Sequence, residues 1–324
     1  MSPEKFDFSP RTMPKEEFLA QAEPLTEEEL RQLGIGKQEK KPSIEKVEPL
    51  LTTSFHNPET NQDQKIEIDL EYSLSEQIDF YQNQLNLSID QVLVREIWQE
   101  NYQEIKSEIE KYGYDQILII PENLPDAGAL NTQLIETMEE EKTVNGKKVK
   151  EKVAATYRSP NFEAGGNFTG MKNPSAPEYR IVLTHSDQNI YDNEDANPFL
   201  KATLNKNIMA LTDLNPTEVA ERITNNQAMP TNFKTEINGQ IIEVKSDSLS
   251  LAEYEILQRM YFESTGNHLD KKGWTWLLDS RSGARVVSAS WYPGVRQLIV
   301  HADDPADAVG YLGLRLSRSF KKLA

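Results

Sequence analysis

Residues Gly273 to Phe320 read GWTWLLDSRS GARVVSASWY PGVRQLIVHA DDPADAVGYL GLRLSRSF. Two kinds of position alternate in this stretch. Large apolar residues (Trp274, Trp276, Val287, Trp291, Leu298, Val300, Leu312, Leu314) are spaced as the inward side of short strands. Between them Ser288, Ser290, Tyr292, Gly294, Val295, Ile299, His301, Val309, Gly310 and Tyr311 share no chemical character. A regular frame whose outward residues have no common theme reads as a binding surface rather than a catalytic site.

Working outward, the preceding chain supplies helices and short strands. Ser250-Leu-Ala-Glu has the spacing of a capping box and predicts a helix to about Glu263, with Tyr254, Leu257 and Tyr261 on one side. Residues 116–121 and 180–184 are short apolar runs, read as buried strands. Asn145-Gly146 and Asn238-Gly239 accommodate the positive φ angles of type I′ turns and predict two hairpins. Helices are expected at about 197–211 and 216–225.

Further upstream, Ser73 or Ser75 is the expected cap of a helix carrying Ile78, Tyr81 and Leu85 on one face. A second helix is expected from about Ser88 to Tyr112, with Val92, Ile97, Ile105 and Ile109 at helical spacing and Gly113 as its stop. Residues 1–70 are rich in Glu, Lys, Pro and Gln and read as a flexible acidic arm, in which 25–33 is expected to form a helix only transiently. The division is therefore an arm (1–70), a helical segment packed on the main domain (71–114) and an α+β domain (115–324).

The 324 residues carry a net charge of −17, which argues against nucleic-acid backbones and anionic membranes as partners. That charge is uneven: residues 281–324 hold 7 Lys+Arg against 3 Asp+Glu, a net of +4. Cysteine is absent, which excludes disulfides, thiolate metal sites and cysteine nucleophiles. The N-terminal residues lack an apolar core, so no standard export signal is expected, and no apolar run reaches membrane-spanning length. A cytoplasmic location is the default.

Familiar catalytic patterns are missing: there is no P-loop, no G-x-G-x-x-G and no H-E-x-x-H. Gly-rich residues 163–170 lack the flanking strand and helix of a phosphate cradle and read as a loop. His56, His185, His268 and His301 are too dispersed for a metal site, and no cofactor is expected. His185, Asp187, Asp192, Glu194 and Asp195 offer oxygen ligands for a hard cation, with a solvated acidic loop as the simpler reading. Asn86 and Asn167 open glycosylation sequons that read as coincidental without a secretion signal. His268, two residues before Asp270, reads as a helix-end residue that caps carbonyls or packs on Trp274. Arg315 and Arg318 are expected to tie the final strand to neighbouring loops.

Residues 249–254 (LSLAEY), 265–270 (TGNHLD), 273–277 (GWTWL) and 312–320 (LGLRLSRSF) resemble the variable proteins of diversity-generating retroelements. They also resemble the wider group of C-type lectin-like folds that includes formylglycine-generating enzymes. The likeness covers about 249–320 closely and 115–248 loosely. It implies a C-type lectin-like domain whose region 285–312 is rewritten by an error-prone reverse transcriptase acting on adenine-rich codons. Trp274, Trp276, Trp291, Gly313, Arg315 and Phe320 would then be scaffold, and the ten themeless positions would bind an unknown protein or other macromolecule. Consistent with adenine loss, Asn is absent from 268–324, as it also is from 1–56.

The oxidation chemistry of formylglycine-generating enzymes depends on cysteines that this chain lacks. The calcium and sugar motifs of the lectins are also unmatched. Two alternatives stand beside the binding protein. One is a cysteine-free enzyme using His268, Asp270 and Arg281; the other is a phage or cell-surface adhesin subunit.

Overall fold

Residues 50–69, assigned to a flexible arm on composition, form a β-hairpin in the computed structural model. The structure describes residues 48–144, 147–156, 171–172, 178–191, 195–294 and 296–323. Residues 1–47, with the transient helix expected at 25–33, lie outside them, as do the Gly-rich loop and Asn167. The chain divides into two units, Met1–Glu45 and Lys46–Ala324, and the described residues all belong to the second.

In the hairpin, β1 (Leu50–Asn57) pairs antiparallel with β2 (Gln62–Asp69). Leu51, Phe55, Ile66 and Ile68 are buried, so an alternating apolar face is present that bulk composition conceals. Helix α1 (Leu70–Leu85) follows without a break. Its cap is Asp69, whose Oδ1 accepts from Tyr72 N at 3.1 Å, rather than Ser73 or Ser75. Helix α2 (Gln91–Tyr112) is capped by Asp90 and stopped by Gly113 at φ +74°. A Cβ at Gly113 would sit 2.7 Å from Asn197 Nδ2 and 2.8 Å from the Phe55 ring, so position and conformation both require glycine. Ile97, Ile105 and Ile109 are buried as the periodicity predicts, whereas Val92 is exposed and Val94 is buried in its place.

The remaining elements alternate short helices and strands. They are β3 (Gln116–Ile120), α3 (Ala127–Gln133), β4 (Ile135–Val144), β5 (Lys147–Thr156), β6 (Met171–Lys172) and β7 (Arg180–Thr184). Next come α4 (Pro198–Lys201), α5 (Ile208–Thr212), α6 (Pro216–Thr224), β8 (Thr231–Ile237), β9 (Gln240–Ser248) and α7 (Leu251–Thr265). The chain continues with β10 (Trp274–Ser282), β11 (Arg285–Tyr292), β12 (Gln297–Asp303), β13 (Leu312–Leu314) and β14 (Leu316–Phe320). The fold is α+β. The helix expected over 197–211 is two short ones, because Asn205 adopts φ +58° between them and Asn207 caps the second. Asn238 and Gly239, at φ +50° and +79°, make the predicted turn between β8 and β9. β4 and β5 pair up to Val144↔Lys147, and the Asn145-Gly146 turn itself lies outside the described residues.

Among the described residues the strands form three sheets, the hairpin and two larger ones. One larger sheet runs β3-β7-β14-β9-β8, which places β14 at its centre. The other runs β13-β10-β11-β12-β5-β4, with β6 added to β10. Both faces of β3 and β7 are covered. Ile117, Ile119, Ile181 and Leu183 join the core containing α2 and the hairpin; Leu118, Ile120 and Val182 join the core around α7. Gln77 of α1 bonds both ways to β3, donating to Ile117 O and accepting from Ile119 N. The helical segment 71–114 is thus packed into the main core.

Candidate functional site

The candidate surface is built on the antiparallel strands β10, β11 and β12. Residues directly opposite across such strands share a face. Leu277 is opposite Val287, Ala289 opposite Val300, and Trp291 opposite Leu298; all six pack into the core around α7. The other face carries the row Leu314, Trp276, Ser288 and His301. By alternation it also carries Trp274, Ser290 and Ile299. Trp274 and Trp276 therefore stand on the themeless side of the sheet, opposite to Val287 and Trp291, which corrects the single inward set read from spacing. Trp276 is fully buried, with its indole Nε1 donating to Lys206 O at 3.4 Å, while Trp274 stays half-exposed.

Ser288 and Ser290, expected on the outside, are 1 % and 5 % exposed. Ser288 donates to Asp303 Oδ2 and Ser290 to Asp270 O at 2.9 Å. Asp303 at the end of β12 and Asp270 of the 266–273 loop supply their partners, and Ser288 forms part of the floor of a cleft on this face. Tyr292 and Tyr311 are 56 % and 48 % exposed, and Gly294 and Gly310 are exposed. Ile299, His301 and Val309 are half-buried. Val295 lies outside the described residues.

Ser288, His301, Val309 and Tyr311 converge with Trp274, Asp303 and Asp307 on one cleft of about 310 Å³. The His301 ring lies 4.4 Å from that of Trp274, and Tyr311 meets Tyr191 edge-on at 6.4 Å. The loop over it is pinned by its own backbone. Asp307 N donates to Asp304 O at 2.9 Å, Leu312 N to Val309 O at 2.9 Å and Trp274 N to Tyr311 O at 2.8 Å. Two aromatic walls and two carboxylates on a fixed frame have the chemistry to meet a cationic group. Asp303, Asp307 and Tyr191 carry no distinguishing signal in the sequence. The two aspartates lie within the themeless region without a telling spacing, and Tyr191 comes from a distant segment.

Beneath this surface lies a buried polar cluster joining three of the sequence motifs. Arg315 donates to His185 O and Asp187 O, each at 2.8 Å, and to Asp270 Oδ1 at 2.9 Å. Tyr254 OH donates to Asp270 Oδ2 at 2.6 Å. Gln258 links Tyr254 OH to the backbone of Leu269. Gly313 brings β13 against Leu204 and Thr203, where a Cβ would approach Leu204 to 2.9 Å. Phe320 is buried at the end of β14.

His268 stacks between Phe262 (4.7 Å) and Trp291 (3.4 Å), not on Trp274. Asp270 has both oxygens engaged by Arg315 and Tyr254, and Arg281 donates to backbone carbonyls elsewhere. Arg318 pairs with Glu104 on α2, a helix rather than a loop. Of the residues considered for a hard cation, His185 and Asp187 give their backbone carbonyls to Arg315, and Asp192 and Glu194 lie outside the described residues. Among the described residues no group of three or more His, Asp or Glu is placed to hold a metal ion. No described helix is long and apolar enough to cross a membrane.

No protein-family model, curated protein or solved structure matches the chain.

The buried cluster has a pH signature. Burial, helped by the nearby Arg315 charge, lowers the pKa of His185 to about 3. Burial raises that of Asp187 to about 6, against the opposing pull of Arg315. Below pH about 6.5 the unfolded chain binds a proton at His185 that the native state refuses, so this residue loses stability as pH falls. Asp187 acts with the opposite sign, because the native state keeps its proton up to about pH 6. The variant His185→Gln should therefore gain on the wild type as pH falls from 7 to 4, by up to about 1.4 kcal/mol per unit. Urea unfolding at several pH values measures this difference; a difference independent of pH would contradict a neutral buried His185.

Proposed function

We propose that this chain is a receptor-like ligand-binding protein, built on a C-type lectin-like fold, whose surface within 285–312 is diversified by retroelement mutagenesis. The observation that carries the reading is the separation of the two faces of β10–β12. One face is packed on the α7 core; the other is buried around Trp276 and Leu314 and opens at its β12 side into the cleft between Trp274 and Tyr311. Side chains on the open face can change without moving the packed one, which is what a variable recognition surface requires. The likeness of 249–320 to the variable proteins supplies the mutational mechanism.

The binding set is refined by burial. Tyr292, Gly294, Ile299, His301, Val309, Gly310 and Tyr311 are its accessible members, Ser288 lies at its floor, and Ser290 is buried against Asp270 O. In this copy Asp303 and Asp307 beside two aromatic rings suit a basic side chain of a protein partner. Tyrosines at the edge supply rigid amphipathic contact area.

Sequencing the DNA that encodes residues 249–320 in sister lineages tests the reading. Differences should gather at the accessible positions and spare Val287, Ala289, Trp291, Leu298 and Val300. A near-repeat of this DNA should lie beside a reverse-transcriptase gene. Identical tails with no such repeat would remove the mechanism.

A further inference from the structure

A second, unrelated concavity lies on the other side of the 304–306 segment. Met209 of α5, Val219, Ala220 and Ile223 of α6 and Pro305 line a half-open groove of about 520 Å³, with Arg281 at its inner end. The walls are apolar because α6 lies sideways: Val219 is buried, Ile223 half-buried and Ala220 exposed to the groove. The volume is roughly three times that of a cavity that holds benzene, so it suits a ligand of about ten to fifteen heavy atoms.

Arg281 is the unusual part. It is 1 % exposed, and its guanidinium donates to the carbonyls of Leu278, Ser280 and Gln227. Its Nε has no hydrogen-bond partner, and among the described residues no carboxylate forms an ion pair with it. Burial lowers its pKa to about 10, with Asp279 pulling weakly the other way, so it stays charged at neutral pH. A buried cation whose hydrogen bonds all go to carbonyls, with Asp279 near but not hydrogen-bonded to it, is costly, and an anion brought to it would supply a direct partner. Asp304 stands at the exposed rim with one carboxylate oxygen on Ala306 N, which favours an anionic head at the inner end rather than at the mouth.

We infer that this groove binds a small amphipathic carboxylate, its acid group on Arg281 and its apolar tail along α6. The site shares none of the accessible residues of the variable surface, and the inference does not rest on that surface being diversified.

Titration of the full chain with decanoate, decanol as its uncharged counterpart, tests it. Decanoate should bind saturably below 1 mM, with decanol at least tenfold weaker. Arg281→Met should weaken decanoate at least tenfold and leave decanol unchanged. Arg281 also supports three carbonyls, so that variant can fail to fold. Ala220→Trp fills the groove from its exposed side and should abolish binding of both ligands while the circular dichroism spectrum is unchanged. Tyr292→Ala and Tyr311→Ala should leave decanoate binding intact. No saturable binding by the wild type, equal affinity for the two ligands, or a folded Ala220→Trp that binds like the wild type would each overturn the site.

Discussion

Asp270→Ala should lower the unfolding free energy by about 3–5 kcal/mol, the cost of leaving a buried charge without its partner. Among the described residues Asp270 is the one carboxylate hydrogen-bonded to Arg315, and both side chains are almost wholly buried. Removing it strands the guanidinium and also takes the acceptor from Tyr254 OH. The remaining bonds of Arg315, to His185 O and Asp187 O, are to neutral carbonyls and do not cancel its charge. The double variant Asp270→Ala/Arg315→Met should recover much of the loss, because it removes the charge together with its partner. Urea midpoints at constant slope report both effects. A loss below about 1 kcal/mol would mean that water reaches Arg315 and that the cluster is not the dry centre described.

The second large effect is a contrast between neighbours. Trp291→Ala should cost about 3–5 kcal/mol, whereas Tyr292→Ala should stay within about 0.5 kcal/mol. Trp291 fills the core around α7 and stacks on His268, so its loss leaves a cavity and an unsupported imidazole. Tyr292 points to the opposite face and is more than half exposed. Equal costs would show that the two faces of β11 are not independent, and the proposed recognition surface would then not be free to vary. A Tyr292→Ala variant that folds normally is also the right background for ligand screening, since any binding defect there would not be a folding defect.

Much of this architecture was readable from local chemistry. The Ser250 capping box, the Asn238-Gly239 turn and the apolar runs at 116–120 and 180–184 stand where residue pattern puts them. Each depends on interactions within a few residues. What was not readable depends on register between strands. Alternation in β10 assigns Trp274 and Trp276 to a common side, but only the pairing Trp276↔Ser288 fixes which side that is relative to β11. The burial of Ser288 and Ser290 was hidden for a related reason. Their hydroxyls are satisfied by Asp303 and Asp270 O, partners that spacing cannot nominate. Helix α7 shows the same limit, since Glu255 and Gln258 are buried along with its apolar residues. A helix enclosed on most sides does not advertise its surroundings by periodicity. The meeting of Asp270 with Arg315, 45 residues apart, was likewise invisible although both residues stood in recognisable motifs.

The position of β14 bears on how the chain is made. It is the last of the described strands, yet it lies between β7 and β9, joined to the first by Arg318↔Leu183 and to the second by Leu316↔Ser248. Until residue 320 has been translated, the sheet consists of two halves with unpaired inner edges, each a template for aggregation. A frameshift or stop codon anywhere in 285–312 would therefore produce a chain unable to close its central sheet. Such chains would be open to proteolysis, while substitutions that leave the reading frame intact would pass. Completion of the fold thus acts as a check that the preceding region was read through.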